Sequence, residues 1–217
     1  MLKLNLARII TFLILMIVFS VLVFTNSFSH IRNNISDRLY GNTPALENII
    51  IIEIDDESIS KIGRWPWDRS VFSKIIENIE EPKAIGIDVS FFEESQNDSS
   101  LKKTFSSLKN TVLAAEINNN TLFTPIFNAN FGYVNFKADN DGIIRKIDPT
   151  LYEKTQPFAF ELYKSFWNPE FKPNKNEYLI NFASNSFSSI KAHELLNTKK
   201  NFKNKFILIG ATAPNLH

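Results

Sequence analysis

A run of five isoleucines and one glutamate, residues 49–54, ends at three consecutive acidic residues, 55–57. β-branched side chains favour strands, and a short, nearly continuous apolar run is typical of a parallel strand buried on both faces of a sheet. The acidic residues would end the strand and suit the first turn of a helix, where the helix dipole favours carboxylates. The stretch therefore predicts a central strand and then a short helix at residues 58–62, with Gly63 at its C-terminal cap.

Similar apolar runs recur and alternate with helical patterns. Strands are predicted at residues 84–89, 111–117 and 206–209, and helices at residues 71–79, capped by Ser70, and 101–108. Such alternation predicts parallel strands joined by right-handed crossovers. The run 206–209 is as apolar as the first strand, so we expect it at the centre of the sheet.

The pattern changes after residue 117. A polar loop is predicted at 118–130, a β-hairpin from 131–136 and 143–152, a helix at 158–167, a strand at 178–182, and a short helix at 190–196 capped by Ser188 or Ser189. The hairpin prediction rests on the turn at residues 139–142, because Asn and Gly tolerate positive φ. The predicted fold class is α/β, with a mixed, largely parallel central sheet, helices on both faces and an inserted β-hairpin.

The N-terminal segment predicts a membrane anchor. Residues 9–29 carry no charge, and about 20 such residues cross a bilayer core of about 30 Å. Lys3 and Arg8 precede the segment, so residues 1–8 are expected in the cytoplasm and the bulk of the chain outside. Residues 30–48 would form a juxtamembrane helix and linker, and residues 49–217 an extracytoplasmic domain. The alternative is a cleaved signal peptide, for which the apolar segment is long.

Composition excludes several classes of function. The net charge is +1 and no basic patch stands out, so nucleic acid is not an expected partner. The absence of cysteine excludes disulfides, thiolate nucleophiles and Cys-ligated zinc. The three histidines lack metal-ligand spacing, and the sequence contains neither a Gly-rich phosphate loop nor a recognisable Ser-His-Asp motif. We therefore predict no cofactor, no metal site and no catalytic residues, and expect that the chain is not an enzyme.

The ends of the parallel strands predict a ligand site. Their C-terminal ends would share one edge of the sheet, and in open α/β sheets ligands bind in the crevice beyond that edge. The residues expected there are Asp55, Asp56, Asp88, Glu116 and residues 210–212. These carboxylates could hold a hard cation through oxygen ligands, or pair with Arg69 or Arg145 in a structural network. Carboxylates packed together without such a partner would repel one another.

Two further features near the first strand have alternative interpretations. Trp65 and Trp67 flank a proline, and they either stack on a ligand ring or pack the loop onto the core. Arg69 either clamps an anionic ligand or ties the loop to one of the strand-end aspartates. Asp141 and Arg145 are expected to fix the hairpin. The candidate ligand-binding residues are Asp56, Trp65, Arg69, Asp88, Arg145 and Thr212.

Four segments in order resemble the CHASE type two family of extracytoplasmic sensory domains from bacterial receptors. The first is Asp-Asp-x-Ser-x-x-x-x-Gly-x-Trp-Pro-Trp-x-Arg at residues 55–69, and the others are residues 84–93, 139–145 and 205–214. The resemblance covers roughly residue 35 to the end. It implies a ligand-sensing domain upstream of an adenylate cyclase, histidine kinase or serine/threonine kinase output domain, which this chain does not contain. Since the family continues with another loop, a helix and membrane spans, we expect that C-terminal sequence is missing.

Partners and location follow from the anchor and the resemblance. We expect the chain in the inner membrane as a single-pass protein, with an unknown small molecule or envelope component as ligand and a second copy of the chain as a partner in a homodimer. Two other functions stay open from the sequence. One is a metal-dependent, hydrolase-like envelope enzyme that uses the strand-end aspartates, and the other is a passive envelope interaction module.

Overall fold

The computed structural model describes residues 6–25, 27–28, 33, 37, 43–108, 110–152 and 155–214, which form two compact units divided after Thr43. The first unit contains helix α1 (Leu6–Phe24), which is long and apolar enough to cross a membrane by length and composition. None of the side chains of α1 is buried. The helix overlaps the predicted span at residues 9–29 but begins and ends earlier. Most of the predicted juxtamembrane helix at 30–48 lies outside the described residues.

The second unit is built on a seven-stranded sheet. The strands of this unit are, in chain order, β1 (Ile49–Ile54), β2 (Ile79–Glu80), β3 (Ala84–Asp88), β4 (Thr111–Asn118), β5 (Thr121–Phe123), β6 (Asn130–Tyr133), β7 (Lys146–Ile147), β8 (Tyr178–Leu179), β9 (Ser188–Lys191), β10 (Lys200–Asn201) and β11 (Phe206–Ala211). The central sheet has the order β5-β4-β3-β11-β1-β9, and β6 also pairs with β4. Its pairs are parallel except for the antiparallel pair β4–β5, which confirms the largely parallel sheet.

Strand β11 lies between β1 and β3, as the sequence predicts. Its register places Phe206 opposite both Ile49 and Ala84. The side chains of Ile207 and Ile209 are fully buried. An apolar run is stable at this position because helices cover both faces of the sheet.

The helices divide between the two faces. They are α2 (Asp56–Ile62), α3 (Arg69–Glu77), α4 (Asp98–Ser107) and α5 (Phe158–Phe166), together with a 3-10 helix (Ala192–Leu195). Side chains from α2, α3, α4 and the 3-10 helix pack in the larger apolar core. Helix α5 supplies Phe158, Leu162 and Phe166 to a second core, on the opposite face. The prediction of helices on both faces is confirmed.

Two glycines let α5 approach the sheet closely. A Cβ atom at Gly86 of β3 would lie 2.6 Å from a methyl carbon of Leu162, and one at Gly132 of β6 would lie 2.6 Å from the Cα of Phe158. Both distances are shorter than non-bonded carbon atoms tolerate. The hydrogen side chains at these two positions therefore determine how deeply α5 packs.

The hairpin predicted from residues 131–136 and 143–152 is wrong. Strand β6 pairs in parallel with β4, while β7 pairs with β8. The turn itself is present: the Gly142 N–H donates to the Asp139 carbonyl at 2.9 Å. A hairpin occurs instead at β4–β5, and its second strand, β5, lies within the segment that the sequence predicts as a loop. The residues 139–142 thus predicted the turn correctly. Which strands pair with each other was determined by contacts between residues distant in sequence.

Two of the predicted helix caps are also wrong. Residues 188–191 form strand β9, which pairs along β1, and only a 3-10 helix follows it. The backbone pairing offered by β1 outweighs the local preference of the serines for a helix cap. Helix α3 is capped by Asp68 rather than by Ser70, since the Asp68 carboxylate accepts from the Ser70 N–H at 2.8 Å.

Candidate functional site

Three parallel strands end at one edge of the central sheet, and a crevice lies beyond that edge. The register places Asp88 of β3 opposite Gly210 of β11, and Ile54 of β1 opposite Ala211. The predicted meeting of the ends of β1, β3 and β11 is thereby confirmed. Glu116 lies instead in the β4–β5 hairpin, opposite Phe123.

Two adjoining clefts make up this crevice, which we call the strand-end crevice. The smaller cleft, of about 350 Å³, is lined by Trp65, Pro66, Trp67, Arg69, Phe72, Asp88, Val89, Ser90 and Ala211. The larger, of about 620 Å³, is lined by Pro66, Trp67, Asp68, Arg69, Ser90, Phe92, Glu93, Glu94, Ser95 and Gln96. The clefts share the Trp-Pro-Trp turn on one side and Ser90 on the other. The crevice thus opens between that turn and the loop after β3, which we call the β3–α4 loop (residues 89–97).

The Trp-Pro-Trp turn is anchored in the core through Trp67. Only 5% of Trp67 is exposed, and its Nε1 donates to the Gly63 carbonyl at 2.9 Å. The ring of Trp65 meets those of Trp67 and Phe72 edge-on, with centroids 5.3 and 6.0 Å away, and Trp65 stays half-buried at the crevice wall. The Trp65–Pro66 peptide bond is cis. The core-packing interpretation is therefore confirmed for Trp67, while Trp65 keeps a surface toward the crevice.

Arg69 holds the β3–α4 loop at the starts of helices α3 and α4. Its Nε donates to Asp98 Oδ1 at 3.2 Å, and its Nη2 donates to the Glu93 carbonyl at 3.2 Å. The guanidinium also lies 4.6 Å from the centroid of the Phe91 ring, and the side chain is only 12% exposed. The sequence suggested that Arg69 ties the Trp-Pro-Trp loop to Asp55, Asp56 or Asp88. The structure shows an ion pair of Arg69 with Asp98, a residue that the sequence did not suggest as its partner.

The β3–α4 loop has two further attachments. The Asp98 carboxylate accepts from the Ser95 N–H at 2.7 Å, which closes the loop onto the start of α4. The Asn97 side-chain amide donates to Asp68 Oδ2 at 2.9 Å. Hydrogen bonds from Ser70 and Asn97 hold the pKa of Asp68 below its ordinary value. Polar bonds to residues 93–97 therefore hold the C-terminal half of the loop in the crevice wall.

Arg145 lies apart from the residues that line the crevice. It is 4% exposed, and its Nη1 donates to Asp139 Oδ2 at 3.0 Å and to Asp141 Oδ1 at 2.9 Å. Its Nη2 donates to Asp141 Oδ2 at 2.9 Å, so Asp141 is held bidentately. Hydrogen bonds from Arg145 lower the pKa of Asp141 to about 2. Arg145 and Asp141 thus fix a turn, as expected, although the predicted hairpin is absent.

The other predicted site residues also fall into two groups, those that line the crevice and those that do not. Asp88, like Trp65 and Arg69, lines the crevice. Asp56 and Thr212 are exposed and lie near the same edge, outside the residues that line the two clefts. The sequence did not single out the β3–α4 loop residues Glu93, Glu94, Ser95 and Gln96. Their position directly after Asp88 was the signal that could have identified them.

An ion cluster near this edge was also not foreseen. The ammonium of Lys191 in β9 bonds to Glu57 and lies 3.4 Å from Asp55 Oδ2. Lys61 lies 2.5 Å from Glu57 Oε1. Hydrogen bonds from Lys191 and then Lys61 lower the pKa of Glu57 to about 2. The carboxylates of Asp55 and Glu57 are thus paired with lysines, and the contacts of Lys191 could be foreseen only if β9 had been placed beside β1.

His193 joins the same cluster from the 3-10 helix. Lys61 Nζ donates to its Nε2 at 2.9 Å, and its Nδ1 lies 3.1 Å from Ser58 Oγ. Ser58 is fully buried, so a substrate cannot reach its hydroxyl. The contacts join α2 to the 3-10 helix.

The crevice resembles a ligand pocket more than a metal centre. Among the described residues, no group of three or more His, Cys, Asp or Glu side chains could hold a metal ion. We expect EDTA to leave the Tm unchanged.

We expect Arg69→Met to lower the free energy of unfolding by about 1–3 kcal/mol, since a largely buried charged hydrogen bond is lost.

Thermal unfolding with and without EDTA, and denaturant unfolding of the variant, measure these effects. Arg64→Met is the matched control, because Arg64 is exposed. A Tm that falls with EDTA and recovers with Ca²⁺ or Mg²⁺ would instead support a cation site.

The comparison with known families agrees with the architecture. A family model described as the CHASE2 domain matches residues 11–217. CHASE2 domains are extracytoplasmic sensory domains of receptors. The chain belongs to the CHASE2 family, and the match begins within α1, earlier than the sequence motifs indicated. No curated protein and no solved structure matches the chain.

Proposed function

We propose that this chain is the membrane-anchored, ligand-sensing part of a bacterial signal-transduction receptor and that its ligand binds in the strand-end crevice. The observation that carries the proposal is the position of the crevice. It lies at the carboxyl edge of a parallel sheet, where α/β folds bind ligands. Its wall contains Trp65, Pro66, Trp67 and Arg69 of the first family motif, and Asp88 and Ser90 of the second.

The anchor supports the same proposal. Helix α1 has the length and composition of a membrane span, and Lys3 and Arg8 place its N-terminus on the cytoplasmic side by the positive-inside rule. The second unit then faces the outside of the inner membrane. A receptor of this kind passes its signal to an adenylate cyclase, histidine kinase or serine/threonine kinase output domain.

The attachments of the β3–α4 loop provide a route from the ligand to the helices. Arg69 is the first residue of α3, and Asp98 is the first residue of α4. Both hold the loop that forms the crevice wall. A ligand that shifts the loop would therefore change contacts at the starts of two packed helices. No specific observation favours the hydrolase-like enzyme or the passive module over this function.

Cysteine labelling tests the orientation and the crevice together. The chain contains no cysteine, so Ser90→Cys introduces a single thiol at an exposed position shared by both clefts. We expect a membrane-impermeant maleimide to label it in intact cells. We also expect that a concentrated fraction of small molecules from the cells' surroundings slows the labelling.

Ser106→Cys is the control, because Ser106 is exposed on α4 and does not line the crevice. It should be labelled from outside at a rate that the small molecules do not change. Labelling of both thiols only after the cells are lysed would contradict the orientation. Equal slowing at both positions would contradict a ligand site in the crevice.

A further inference from the structure

We infer that the ligand of the strand-end crevice is a small organic cation, an inference that rests on the proposed function of the crevice. Two features carry it: an excess of carboxylates on the crevice wall and aromatic rings beside them.

The charge of the wall is negative. Among the described residues, the acidic residues Asp68, Asp88, Glu93 and Glu94 line the two clefts, and Arg69 is the basic residue that lines them. The side chains of Glu93 and Glu94 are exposed at the mouth of the larger cleft. A cleft lined by charges of one sign concentrates ligands of the opposite sign. The wall therefore attracts cations.

The positive charge of Arg69 offsets little of the negative charge of the wall. Its guanidinium contacts Asp98, the Glu93 carbonyl and the Phe91 ring, and only 12% of the side chain is exposed. An anionic ligand would have to compete with Asp98 for Arg69 while it faces the other carboxylates. The structure thus favours a cation over the anionic ligand that the sequence suggested for Arg69.

Aromatic rings make the crevice suitable for an organic cation. Trp65, Trp67 and Phe72 line the smaller cleft, and Phe92 lines the larger. Trp65 is the half-buried ring, and tryptophan is the aromatic residue that binds alkylated ammonium groups best. The smaller cleft, at about 350 Å³, has a volume typical of small-molecule sites. An alkylated ammonium group would contact the ring of Trp65, and the charges of Glu93 and Glu94 in the adjoining cleft would attract it.

Thermal unfolding of the full chain in detergent with simple probes tests the inference. The probe is tetramethylammonium chloride, compared with tert-butanol, a neutral molecule of similar size, and with inorganic phosphate, all at equal ionic strength set by NaCl. We expect tetramethylammonium alone to raise the Tm saturably, by about 2–4 °C at several times its Kd. An equal shift with tert-butanol, a shift with phosphate only, or no shift with tetramethylammonium would overturn the inference.

Variants locate the binding. We expect Glu93→Gln combined with Glu94→Gln to weaken tetramethylammonium binding about threefold to tenfold, because charge is removed from the wall without loss of volume. Trp65→Leu should weaken it to a similar degree. Glu170→Gln is the matched control, since Glu170 is exposed after α5 and lines neither cleft. Unchanged affinity in the double glutamine variant would also overturn the inference. Protection of Ser90→Cys in the labelling experiment would still support the crevice as a site.

Discussion

Trp67→Ala will lower the free energy of unfolding by about 3–5 kcal/mol, the range measured for truncation of large buried aromatic residues. Trp67 is 5% exposed and packs against Trp65 and Phe72, and the truncation also removes the donor to the Gly63 carbonyl. Because a domain has only about 5–15 kcal/mol to lose, the variant should be poorly expressed and melt at a much lower temperature.

Denaturant unfolding followed by circular dichroism measures this loss. Trp167→Ala is the control, since Trp167 is 44% exposed and its truncation should cost less. Trp67→Phe separates ring packing from the Nε1 hydrogen bond and should cost less than Trp67→Ala. Normal stability of Trp67→Ala would show that the Trp-Pro-Trp turn does not hold the domain together.

Arg145→Met will be the second large effect, at about 2–4 kcal/mol, because it leaves Asp139 and Asp141 side by side without their cation. Arg145 is 4% exposed and bonds to both carboxylates. Lys146→Met is the control, because the Lys146–Glu177 pair is exposed and such pairs contribute at most about 1 kcal/mol. Equal stability of the two variants would contradict the role assigned to Arg145.

The same ion pair predicts a pH dependence. The pKa of Asp141 falls from its ordinary value of 3.8 to about 2 in the folded protein. Its contribution is therefore complete above the unfolded pKa and is lost as the pH falls through the folded pKa. We expect the wild-type protein to lose stability relative to Arg145→Met as the pH falls from 5 to 2. Urea unfolding of both proteins across this range measures the difference, and parallel curves would contradict it.

Strands whose own sequence contains an apolar run were predicted correctly. In β1 and β11 a short, nearly continuous apolar run indicates both a strand and its burial, so their central positions followed from the sequence. In β9 the sequence Ser-Ser-Ile-Lys has no such run, and the strand exists because β1 offers an open edge. A prediction from local pattern alone could not include that long-range pairing.

The site shows the same division. Trp65 and Asp88 were identified because each belongs to a motif that ends or follows a strand. The partner of Arg69 was missed because Asp98 is 29 residues away and meets Arg69 only when the β3–α4 loop folds back. The Lys191–Glu57 contact was missed for a similar reason, since it depends on β9. The Arg145–Asp141 pair, four residues apart, was thus predicted, whereas the distant pairs Arg69–Asp98 and Lys191–Glu57 were not.

The central position of β11 has a consequence for biogenesis. It pairs residues 206–211 with residues 49–54 on one side and with residues 84–88 on the other. While the chain emerges N-terminus first, the two strands that flank this gap must wait with unpaired backbone edges, which invite wrong pairing. Contacts that span most of the chain also form slowly. A chain under synthesis will therefore expose these strand edges until residues 206–211 have been made.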